Sequence, residues 1–152
     1  MGSAVAVMDV PPTGRINVQR IVLGGIIAGL VINVSEFVLN RVVLGADMTA
    51  SLDSLNLTPV AGAGIAIFIA LGLIDGIAAI WLYAAMRPRF GPGPKTAVLT
   101  GLTVWFFCHL NSAVAMHAMR MFHRRLLGIS VVWQLGESVV AALAGSALYT
   151  EK

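Results

Sequence analysis

The sequence predicts an all-α integral membrane bundle of four transmembrane helices, and two observations carry that prediction. The chain is 58% hydrophobic and only 11% charged, with a mean hydropathy of +0.88; soluble domains carry about 25% charged residues. Its apolar residues also fall into four runs, at approximately 18–41, 59–86, 96–119 and 126–149. Each run meets the ~20 residues needed to cross a hydrocarbon core. A chain of this composition cannot solvate its own surface, so its core is shared with lipid.

The first run lies between Arg20 and Arg41 and is broken only by Glu36. It exceeds the apolar core of a cleaved signal, and no small-x-small site follows it, so it is expected to remain as a span. Residues 1–17, with Pro11, Pro12 and Gly14, read as a flexible tail, leaving 18–150 as a single transmembrane domain. The polar stretch 45–58 is long enough for a short surface helix. The second run has Asp75 as its one charge. After it, "RPRFGPGPK" at 87–95 crowds proline and glycine together and predicts a stiff, non-helical turn with three positive charges. The third run holds His109 and the fourth holds Glu137.

Charge and motif exclude several classes. The ten basic residues and net charge of +3 are scattered outside the apolar runs, without interleaved aromatics; they read as membrane-flanking charge and exclude nucleic acid as a partner. Cys108 is alone and forms no internal disulfide. "GPGPK" lacks the Gly-Lys-Ser/Thr of a phosphate loop and puts proline where free N–H groups are needed. Ser35 beside Glu36, and Cys108 beside His109, point to different faces of a helix, so neither makes a nucleophile–base pair. Counting Lys and Arg gives a small excess on the side of both termini, which predicts cytoplasmic termini.

Helical spacing gathers the polar residues. Gly25, Gly29, Asn33, Glu36 and Asn40 share one face of the first span, and Ser130, Gln134, Glu137, Ala141 and Gly145 one face of the fourth. Gly64, Phe68, Gly72, Asp75 and Ala79 make a third stripe; Trp105, His109, Ser112 and Met116 make a fourth. Small residues let helices approach closely in lipid, and side-chain hydrogen bonds then join them. The stripes are therefore expected to face inward, with Gly25, Gly29, Gly72 and Gly76 as packing positions and Ala28, one position round the helix, on the side left for lipid. The polar cluster is Asn33, Glu36, Asp75, His109, Gln134 and Glu137.

Two uses of that cluster compete. No Lys or Arg lies in the interior of any span, Arg20 and Arg41 standing at the two ends of the first, so the carboxyls are expected as neutral acids that hold helices together. Ionisable groups at staggered depths can also form a path for protons or cations. No cofactor is expected. Met119 and His123, one helical turn apart, are the weak candidates for a metal such as copper. Haem would need a second chain, because His109 is the sole histidine at mid-depth.

"GGIIAG" with Asn33, Glu36 and Asn40 near the start, and "WLYAAMRPRFGPGPKTA" between the middle spans, resemble a group of small uncharacterised bacterial four-span membrane proteins. The resemblance covers about 22–149 and implies a bacterial inner-membrane location without an activity. The reading that follows is a non-enzymatic membrane protein acting by helix association, as a homo-oligomer or as an accessory subunit. Its partners would be the lipid bilayer and either itself or other membrane subunits. The alternative is a small proton- or cation-coupled transporter or channel using its intramembrane carboxylates.

Overall fold

A computed structural model describes residues 16–151, and the described residues include no strand. Four helical spans are long and apolar enough to cross a membrane: Val18–Val43, Ala63–Phe90, Pro94–Ala118 and Arg124–Ser146. The first is α1 (Val18–Phe37) continued by a widened π-helical turn, Val38–Val43. A short α2 (Gly45–Ser54) follows where a surface helix is expected. The second span is α3 (Ala63–Phe90). The third is made of α4 (Pro94–Val104), a second π-helical turn at Trp105–Leu110, and α5 (Asn111–Ala118). The fourth is α6 (Arg124–Ser146).

Two boundaries differ from expectation. The helix of the second span begins at Ala63, past Pro59, and runs through Pro88 to Phe90. Proline there removes a single hydrogen bond in a last turn that Gly91 closes by donating to the Arg87 carbonyl at 2.8 Å. The turn is then only three residues long. It depends on Gly91 and Gly93 at φ +82° and +116°, and Pro94 sits in the first turn of α4, where its missing N–H costs nothing. The expected tail lies mostly outside the described residues. Ile16 and Asn17 are described, and Asn17 is buried: its side chain caps α1 by accepting from the Arg20 N–H at 3.3 Å.

α1 is the central helix. It packs chiefly against α3 and next against α6, while α4 packs against α6 and, less extensively, α3. Backbone approach explains the α1–α3 contact. A methyl group on Gly76 would collide with the backbone of Gly25 and Gly29, and one on Gly29 would lie 2.7 Å from Leu73 Cα. On its other side α1 meets α6 through Gly24 and Gly145, which face each other in the same manner. Ala28 is therefore 0% exposed and does not face lipid. With helices on two sides, the buried face of α1 is wider than one stripe.

At the end that carries the termini, Ile21, Ile80, Tyr83, Ala84, Ala97, Ala141 and Tyr149 make a continuous core. Tyr149 accepts from the Asn17 N–H at 3.4 Å, and Tyr83 accepts from the Gly93 N–H at 3.0 Å. Arg87 lies over both rings and pairs with Glu151 at 3.6 Å. At the far end a smaller core of Leu39, Leu44 and Leu126, with Phe122 and Trp133, seats α2 and the start of α6.

The bundle is not closed along its whole length. α3 and the third span meet along α4 and have little contact beyond it. Toward the far end they part, so Phe68 and every residue of α5 except Ala113 are exposed.

Candidate functional site

The polar residues singled out by helical spacing occupy three different environments. The first is an interhelical lattice of hydrogen bonds. Asn33 on α1 donates to its own Gly29 carbonyl at 2.8 Å and across to the Ile69 carbonyl of α3 at 3.2 Å. Glu36, one turn on, accepts from Gln134 of α6 at 2.8 Å through Oε1 and from Asn40 at 2.6 Å through Oε2. The same α1–α6 seam holds a bond between Trp133 Nε1 and Ser35 Oγ at 2.8 Å. The bonds to Ile69, from Gln134 and from Trp133 each join two helices, the kind of contact that holds apolar helices together in lipid.

The second environment is closed. Glu137 of α6 is 4% exposed, and neither carboxyl oxygen has a hydrogen-bond partner. Ser35 faces it from α1 without reaching hydrogen-bonding geometry, and the Glu36 and Asp75 carboxyls lie within range of its charge. Glu36 and Glu137 thus differ in kind: one is held by two amide donors, the other by none.

The third environment is the opening between α3 and the third span. Asp75 is exposed there, although its neighbours in the stripe, Gly72 and Ala79, are buried. His109 on the third span is half-buried. Ser112 does not join the cluster; it is exposed and donates to the Cys108 carbonyl of its own helix at 2.6 Å.

The four glycines lie at helix contacts. Gly25, Gly29 and Gly76 touch backbone or Cβ atoms of the facing helix, whereas Gly72 faces the Asn33 amide, 2.7 Å from where its own Cβ would stand. Met119 is 69% exposed and His123 is exposed, in the turn that leads into α6. A cavity of about 300 Å³ at that level is lined by Ser54, His117, Arg120 and His123 among others. Among the described residues no group of three His, Cys, Asp or Glu side chains is placed to hold a metal ion.

Several contacts involve a residue or a partner outside the stripes. Trp133 is simply one more apolar residue until Ser35 faces it. Trp105 Nε1 donates to the Val131 carbonyl of α6 at 2.8 Å, across the start of the π-helical turn. Gly101 packs on the backbone of Ser138 and Val139, which makes it the α4–α6 counterpart of Gly76. Its small size beside Ala97 is the only sequence signal for that contact. Comparison of the chain with family models, with curated proteins and with solved structures gives no match.

Proposed function

We propose that this chain is a non-enzymatic integral membrane protein that acts by associating with other transmembrane helices, as a homo-oligomer or as an accessory subunit of a membrane complex. The observation that supports this reading is the open flank of the bundle. The far half of α3 and all of α5 lack a helical neighbour over most of their surface, and that flank includes an exposed Asp75. A carboxyl within a membrane span is costly unless a protein group or a water-filled cavity receives it. A further helix laid against α3 and α5 would supply such groups. Among the described residues the segments outside the four spans are short. The likeness of the 87–97 segment to bacterial four-span proteins favours a bacterial inner membrane, and the Lys/Arg count favours cytoplasmic termini.

Cys108 provides the test, because it is exposed on the third span and is the sole cysteine. After extraction in mild detergent, native mass should exceed that of one chain. A homo-oligomer joined at this flank gives an oxidised dimer that Cys108→Ser removes; an accessory subunit brings a second polypeptide with it. A monodisperse, unaccompanied monomer overturns the reading.

A second reading, a small proton- or cation-coupled transporter or channel, is favoured by one specific observation: the burial of Glu137 without a partner. Flux through sealed liposomes carrying the protein, compared with its Glu137→Gln variant, decides for or against it.

A further inference from the structure

We propose that Glu137 is a proton-binding site enclosed in the bundle, on the side of α6 that meets α1. An ionised carboxylate buried in an apolar bundle with no donor is strongly unfavourable, and a neutral acid is tolerated. Glu36 is held differently: its two oxygens each receive an amide N–H, from Gln134 and from Asn40. Of two neighbouring carboxyls in one seam, only Glu137 is left enclosed without a donor.

Ser35 makes the arrangement reversible. Its oxygen accepts from Trp133, which leaves its own hydrogen and one lone pair free. It can accept from the Glu137 acid or, after rotating its hydroxyl, donate to the Glu137 carboxylate. The step is simple proton binding: the carboxylate gains one proton, and an O–H bond forms with no other bond broken.

The ligand is a proton and not a metal ion because of the donor set. An oxygen-seeking cation takes about six oxygen ligands. Glu137 has only Ser35 beside it, both Glu36 oxygens already hold N–H groups, and no three metal-binding side chains converge among the described residues. The titratable groups within electrostatic range of Glu137 are Glu36 from α1 and Asp75 from α3. Asp75 is exposed, whereas Glu137 is the most enclosed carboxyl among the described residues.

Infrared difference spectra of the reconstituted full chain, recorded across a pH step, test the proposal. A carboxylic acid carbonyl band that responds to pH and to D2O should be present. It should disappear in Glu137→Gln, shift in Glu137→Asp, and persist in Asp47→Asn, a substitution on the surface helix. Helix content and melting of each variant, measured in the same samples, show that the fold is retained. Absence of the band, or its survival in Glu137→Gln, overturns the site. Its displacement by sodium ions at constant pH overturns the proton as ligand. The site shares residues with the transport reading but does not need it: a chain that shows the band and conducts nothing removes transport and keeps the site.

Discussion

Gly76 illustrates how much of this bundle rests on single missing atoms. A methyl group there would meet the backbone of Gly25 and Gly29, which cannot rotate away as a side chain can. Gly76→Ala should therefore destabilise the chain by about 1–3 kcal/mol, the range for overpacked interiors. Gly136→Ala, with open space around the position, should be neutral. Gly72→Ala should fall between them, because the Asn33 amide can swing aside at the expense of its bond to Ile69. Thermal melting in detergent ranks the three, and equal midpoints would show that α1 and α3 are not in backbone contact. The Glu36–Gln134 pair can be read in the same way. A double-mutant cycle of Glu36→Leu and Gln134→Leu should give a coupling near 0.6 kcal/mol and below about 1.7, as for hydrogen bonds between membrane helices. A coupling of zero would remove this bond from the α1–α6 seam.

At the scale of elements, the inward stripes on α1 and α6 are covered, and those on α3 and the third span are covered only toward the termini. Periodicity identifies a face of a helix; it cannot say whether a neighbour extends far enough to cover it. Phe68 is 62% exposed for that reason, although it shares a face with Gly72 and Ala79. The third span has a further cause. Its π-helical turn at Trp105–Leu110 adds a residue to one turn, which rotates everything after it by about 100° relative to an unbroken α-helix. Ser112 and Met116 accordingly leave the face that Trp105 presents to α6. Deleting Phe107 should restore the α-helical register and turn α5 round. A cysteine accessibility scan of 111–118 in a Cys108→Ser background should then shift its pattern by one position. An unshifted pattern would mean that the wide turn does not set the rotation of α5.

For the molecule as a whole, composition and run length alone were enough to show four spans, since neither depends on contacts. The α1–α3 glycine contact was also legible, because small residues at helical spacing signal close approach. The distinct roles of the three carboxyls were not. Glu36, Asp75 and Glu137 look alike in sequence, and only the partners that α1, α3 and α6 bring to them make one a bonded bridge, one an exposed acid and one an enclosed acid. Orientation across the membrane is open to direct measurement. In a Cys108→Ser background, a cysteine at Thr58 should react with an impermeant maleimide added to intact cells, and one at Pro92 only after lysis. The opposite pattern would place the termini outside.

The seam between α1 and α6 has a consequence for how the chain is made. Spans enter a membrane in the order of synthesis, and early segments fold first. α1 can settle on α3 as soon as the second span is inserted, because Asn33, Gly25 and Gly29 find everything they need there. The other side of α1 has to wait. Ser35 and Glu36 bond to Trp133 and Gln134, 98 residues later in the chain. Until the ribosome delivers them, a carboxyl with only its Asn40 bond made faces either lipid or whatever machinery shelters the nascent chain. The third span is stranded too, since its main partner is also α6. Biogenesis therefore has an early stable hairpin and a late closing event, and the interval between them is when this protein is most exposed to quality control.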